Sequence, residues 1–197
     1  GPTVAVLDLG LKASILSSLR ARGCRLLVYP AHTPAQEILR DEPGGLVLTN
    51  GPGNPNENPE IIENLRSLAG RLPIFGICLG HQLLALACGA DTQPLRYGHR
   101  GSNHPVKDLD RDRVYITSQN HGYTIVEETL PANMRISHRN WNDQTIEGIR
   151  YEDHPTFTVQ FHPEASPGPK DTGYLFDEFI GSLTVSNKIS GNANRMN

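Results

Sequence analysis

A chain of 197 residues can fill one hydrophobic core, so a single domain is expected. A hydrophobic share of 37% and a charged share of 20% exclude a disordered or fibrous polypeptide, and a net charge of -3 leaves no basic footprint for nucleic acid. No apolar run approaches the roughly 20 residues that cross a bilayer, so no membrane partner is expected either.

GPTVAVLDLG at the N-terminus lacks the basic-then-apolar order of a signal peptide; its Gly-Pro reads as a cleavage scar or a cut at a domain boundary. TVAVLD, Thr3 to Asp8, is a buried strand, followed by an amphipathic segment from Leu11 to Arg22. Cys24 to Tyr29 gives a second strand, Pro34 to Arg40 a short helix, and Gly44 to Asn50 a third strand that runs into the turn-rich GPGNPNENPE. Ile61 to Ala69 is a helix and Leu72 to Ile77 a fourth strand. Strand and helix alternating at this spacing predict βαβ units in an open, mostly parallel twisted α/β sheet flanked by helices.

Beyond residue 110 the pattern changes. VYITSQ, YTIVEE, MRISHRN, TIEGIRY and TFTVQFH are parted by turn signals, which predicts additional antiparallel strands in the C-terminal half. Asp171 to Leu183 carries apolar residues at helical spacing. The domain is therefore expected over 1–183, and the polar, asparagine-rich 184–197 is expected to be a disordered tail.

Three cysteines with no C-x-x-C pair argue against a disulfide framework and a cysteine zinc site, and favour a reducing, cytoplasmic setting. Cys78 stands out. It follows a strand, precedes the helix LGHQLLALACG and is set as Gly76-Ile77-Cys78-Leu79-Gly80, the form of a nucleophile elbow with cysteine in place of serine. Such a turn lifts the sulfur above the carboxyl edge of the sheet and onto a helix N-terminus, whose partial positive charge favours thiolate. The backbone N–H of Leu79 then faces a forming oxyanion. Cys88, within an apolar helix without a charged neighbour, and Cys24, at a strand start, read as packing residues.

A thiol nucleophile needs a base, and the base an orienting acceptor. His162 ends the strand TFTVQFH, and Glu164 follows across Pro163. His32, His138 and His154 read as surface residues, and His81 as a packing or hydrogen-bonding residue. His99 and His104 have no third ligand at metal-like spacing, so no metal is expected.

Elbow, histidine and glutamate together resemble the class I glutamine amidotransferases through GICLGHQ, FHPEA and NGPGNP. Within that family, YGHRGSNHPVKDL and ITSQNHGYTIVEETLPANMRISH are similar to the amidotransferase domain of carbamoyl-phosphate synthase small chains, over about Val4 to Leu183. The resemblance implies a glutaminase with Cys78 as nucleophile, His162 as base and Glu164 as its orienter. It implies oxyanion N–H groups at Leu79 and Gly51, contacts to glutamine from Gly53 and Gln82, and Asn120, Gly122 and Tyr123 at the α-amino and α-carboxylate end. His121 is implied as a neighbour of the site.

The resemblance makes Tyr123 a departure, since phenylalanine is usual at that place in such relatives, and it implies a further domain before this one that the sequence does not include. The implied partner is a large synthetase subunit that makes carbamoyl phosphate. ATP and Mg²⁺ would bind on that partner only, because the one glycine-rich turn here lacks the G-x-x-x-x-G-K-[ST] form. Whether the product feeds arginine or pyrimidine synthesis stays open. So do a γ-glutamyl hydrolase or peptidase on the same scaffold, and a non-catalytic binding domain.

Overall fold

The computed structural model describes residues 1–10, 13–165 and 170–183, without the side chains of Lys170 and Asp171. The predicted tail, 184–197, lies outside the described residues.

Among the described residues, nine strands form one sheet. In chain order they are β1 (Thr3–Asp8), β2 (Arg25–Pro30), β3 (Gly45–Leu48), β4 (Ile74–Ile77), β5 (Thr92–Asp108), β6 (Arg113–Ile125), β7 (Met134–Asn140), β8 (Ile146–Tyr151) and β9 (Thr156–Val159). The spatial order is β2-β1-β3-β4-β9-β8-β7-β5-β6. Pairs from β2 to β9 are parallel, and those from β9 outward to β6 are antiparallel. Helices α1 (Ala13–Ala21), α2 (Ala35–Arg40), α3 (Pro59–Leu68) and α4 (Leu79–Ala87) follow β1, β2, β3 and β4. The fifth, α5 (174–183), is entered through a 3₁₀ turn at Lys170–Gly173.

Alternation along the strands explains the two cores. Ala5, Leu7, Leu46 and Leu48 face the layer of α3 and α4, whereas Val4, Val6, Val47 and Phe75 face the layer of α1 and α5. On α3, Ile61, Leu65 and Leu68 recur at helical spacing and form its buried side. Phe75 anchors the second layer, its ring centroid 4.8 Å from Phe157, 5.4 Å from Phe176 and 5.9 Å from Phe179. Each such fully buried side chain is worth roughly 1.5–3 kcal/mol relative to exposure.

Two features differ from the sequence reading. YGHRGSNHPV belongs to the 17-residue strand β5, hidden in the sequence by prolines and glycines that break its register against β6 between Pro94 and His99 and between Gly101 and His104. VYITSQ and the start of YTIVEE are one strand, β6, that runs on through Gln119-Asn120-His121-Gly122.

Candidate functional site

Cys78 is the N-cap of α4, with φ +54° and ψ -106°. A non-glycine residue in such a conformation costs of order 1–3 kcal/mol and persists only where its surroundings fix it. Here the Cys78 N–H donates to Val159 O at 2.9 Å, the Gly80 N–H to Thr49 O at 3.2 Å, and the Gln82 N–H to Cys78 O at 3.1 Å. Gly80 is needed for close approach: a Cβ there would lie 2.5 Å from Leu48 Cβ and 2.6 Å from Leu48 O.

Because β4 pairs in parallel with β9, with Ile77 beside Val159, the residues following both strands leave the sheet together at its carboxyl edge. That brings His162 next to the elbow region, tied to β6 by its N–H to Ser118 O at 2.9 Å. His162 Nδ1 lies 3.0 Å from Glu164 Oε1, and both residues are buried. A carboxylate accepts only, so Nδ1 donates to it, and in the neutral ring Nε2 is then the acceptor.

Cys78 and His162 open onto one cavity of about 550 Å³. Of the residues singled out in the sequence, Gly51, Gly53, Gln82, Asn120, Gly122 and Tyr123 line it, as does His121. Leu79 does not. Its side chain belongs to the core, and its backbone N–H hydrogen-bonds the Cys78 sulfur. Gln82 Nε2 donates to Tyr123 O at 3.1 Å and to Gln160 Oε1 at 2.9 Å, which leaves its Oε1 to face a ligand. Gln160 was not singled out, yet its Nε2 donates to Cys78 Sγ at 3.6 Å. Arg100 also lines the cavity. The signal for both was hidden, since each depends on a strand register that only the fold reveals.

The expected thiolate is corrected. Burial pushes the Cys78 thiol up to about 12; the Leu79 N–H pulls it down, Glu164 and Glu147 push it further up, and Gln160 opposes them. The helix end does not overcome desolvation of a sulfur this deeply buried. Burial thus favours the thiol over the thiolate, and a base beside the sulfur serves the attack.

Cys88 packs against the core, as read, but its surroundings differ from the reading. It caps the C-terminus of α4 half-buried, and it is not free of charged neighbours: burial pushes it up to about 11, with Asp153 adding to the rise and Arg66 opposing it. Cys24 is buried, as read, and burial raises its pKa. His81 is fully buried with Nδ1 2.7 Å from Thr158 Oγ1, and burial holds its ring neutral, at about 3.

His138, read as a surface residue, is buried because β7 lies inside the sheet and Tyr174 covers it. Its ring meets Ser137 Oγ at 2.8 Å and Tyr174 Oη at 3.2 Å, with Asp108 Oδ2 at 3.5 Å. His154 is half-buried against Tyr151, and His32 is exposed.

His99 also finds different company from that read in the sequence. With His121 and Glu147 it forms a buried group whose ligand atoms lie within 4.8 Å of one another. Existing bonds account for much of it. His121 Nδ1 meets Tyr123 O at 2.8 Å and its Nε2 meets Gln119 Oε1 at 2.9 Å, while His99 Nε2 lies 2.6 Å from Asp143 Oδ2. His99 Nδ1 makes an ion-pair contact with Glu147 Oε1 at 3.4 Å.

Burial would lower the pKa of His99, but Glu147 and Asp143 outweigh it and raise it. Burial likewise raises Glu147, against His99 and Asn140. A histidine held this way stabilises the fold fully below its unfolded pKa of about 6.5 and loses that contribution as pH rises through the higher folded value. A double-mutant cycle of His99→Asn and Glu147→Gln, read by denaturant unfolding, is expected to give a coupling of about 1–3 kcal/mol at pH 6 that shrinks by pH 9. A coupling that grows with pH would contradict the assignment.

Comparison with known proteins agrees with this geometry. The family "Glutamine amidotransferase class-I" matches residues 5–182. A carbamoyl phosphate synthase small chain of Bacillus caldolyticus is 52% identical over 95% of this chain and 52% of its own length. A carbamoyl phosphate synthase pyrimidine-specific small chain of Halalkalibacterium halodurans is 53% identical over 95% and 52%. This chain thus spans about half the length of these curated relatives. The fold recurs in a crystal structure described as a putative GMP synthase protein from Thermoplasma acidophilum, with TM-score 0.84 and 23% identity over 96% of this chain and 98% of that one. No helix among the described residues is long and apolar enough to cross a membrane. With the elbow, the histidine–glutamate pair and a family match over nearly its whole length, the chain belongs to the class I glutamine amidotransferases.

Proposed function

We propose that the chain hydrolyses glutamine to glutamate and ammonia through a cysteinyl thioester, and that the ammonia serves carbamoyl phosphate synthesis on a separate large synthetase subunit. The observation that carries this reading is the shared cavity of Cys78, held at φ +54°, and His162, oriented by Glu164.

In the proposed reaction His162 Nε2 takes the thiol proton as Cys78 Sγ attacks the side-chain amide carbon. The oxyanion faces the N–H groups of Leu79 and Gly51. Collapse of the tetrahedral intermediate expels ammonia, which leaves with the proton from His162, and a γ-glutamyl thioester remains. His162 then deprotonates a water that attacks the thioester carbon, and glutamate leaves as the thiol is restored. A thiol that needs this base fits the high pKa of the buried sulfur. ATP and Mg²⁺ are assigned to the synthetase partner, together with bicarbonate. Similarity to the small chains, one of them named as pyrimidine-specific, supports this partner.

The test compares ammonia release from free glutamine with cleavage of γ-glutamyl peptides, each with and without the large synthetase chain of a relative. Release from glutamine that rises with the large chain is the expected result. Preference for peptides would favour the γ-glutamyl hydrolase alternative, and no turnover of either would favour a binding domain.

A further inference from the structure

The groups assigned above to the α-carboxylate end of glutamine, Asn120, Gly122 and Tyr123, include no arginine, lysine or histidine. A substrate carboxylate held by these groups alone would lack a counter-charge, which a facing cation supplies through a charge-assisted hydrogen bond. Among the described residues that line the cavity, one is an arginine or lysine: Arg100.

The backbone places Arg100 for this task. It is the cross-strand partner of Asn120, on the stretch of β5 between the two register breaks. Gly98, at φ +66°, leaves the room: a Cβ there would lie 2.6 Å from Arg100 Nη1 and 3.2 Å from His121 O. The guanidinium thus rests over the Gly98 backbone and donates to His121 O at 3.5 Å, a long bond that leaves most of its five N–H donors uncommitted. No carboxylate lies within ion-pair distance of it among the described residues, unlike Arg111 on Asp108 or Arg139 on Glu127.

We propose that Arg100 is a specificity-determining residue of the substrate site, its guanidinium pairing with the α-carboxylate of the amino-acid substrate beside Asn120. The inference rests on the glutaminase reading above and adds a requirement: the substrate must bear a free α-carboxylate.

The test measures kcat and KM for L-glutamine and for L-glutaminamide, whose α-carboxylate is replaced by an amide, in the wild type, Arg100→Gln and Arg100→Lys. Loss of one charge-assisted contact is expected to raise KM for glutamine about 10- to 100-fold in R100Q. The KM for glutaminamide and the kcat for glutamine stay nearly unchanged. R100K, which keeps the charge but not the fork, falls between. Arg100 is exposed, so thermal unfolding should hardly move. Normal glutamine turnover in R100Q with an unaltered ratio of the two KM values would overturn this inference alone. Absence of ammonia release by the wild type would remove the glutaminase reading and this inference with it.

Discussion

Replacing Cys78 with serine is expected to lower ammonia release from glutamine by about 10,000-fold or more, whereas Cys88→Ser leaves it within about twofold. The two sulfurs lie at opposite ends of α4 and differ in what surrounds them. Cys78 has the Leu79 N–H on its sulfur, Gln160 beside it and a cavity shared with His162. Cys88 packs against the apolar core at the far end of the helix and lines no part of that cavity. A serine at 78 keeps the turn but has a hydroxyl far less acidic and less nucleophilic than a thiol. Steady-state ammonia release decides the matter, with mass spectrometry locating the cysteine labelled by a glutamine-analogue chloroketone. Full activity in C78S, or loss of activity in C88S, would refute the assignment.

The second large effect concerns the pair behind the sulfur. Burial pushes the Cys78 thiol up and so disfavours the thiolate, which makes removal of the base expected to cost nearly as much as removal of the nucleophile. His162→Asn is expected to match C78S within about tenfold, and C78S/H162N to be no worse than either alone, because residues that act as one unit are not additive. Glu164→Gln keeps the shape of the orienting residue and loses its charge. A fall of about 100- to 10,000-fold in kcat with little change in KM is expected, since the imidazolium loses its counter-charge and Nδ1 its obligate acceptor. Additive losses in C78S/H162N would show that the two residues do not work on the same step.

Much of this arrangement was legible along the chain because its signals are local. Short apolar runs such as TVAVLD and LPIFGI can be buried only as covered strands, and a glycine on each side of a cysteine between strand and helix marks a tight turn whatever the tertiary setting. His162 and Glu164 lie two residues apart, so their bond could be anticipated as well. What escaped the reading depends on pairing between distant segments. β5 was hidden because Pro94, Gly98, Gly101 and Pro105 break the alternation that identifies a strand, and only β6 beside it makes those residues extended. Arg100 and Gln160 follow from that pairing and from the β4–β9 pairing, and His138 was misread because a polar strand residue carries no sign that Tyr174 will cover it. The direction of the Cys78 shift was missed because helix position can be read from sequence, whereas depth of burial cannot.

The parallel pairing of β4 with β9 joins Ile74 to Thr156, 82 positions apart. During synthesis the elbow leaves the ribosome long before its base, and the antiparallel strands β5 to β8 must be made in between. At about 5–20 residues per second this interval lasts several seconds, during which the nascent chain has Cys78 but not yet His162 to take its proton. Non-local closure of this kind is also among the slower events of refolding. On the proposed glutaminase reading the site is complete only once β9 has paired with β4, so ammonia release would begin after that pairing and would mark it in time.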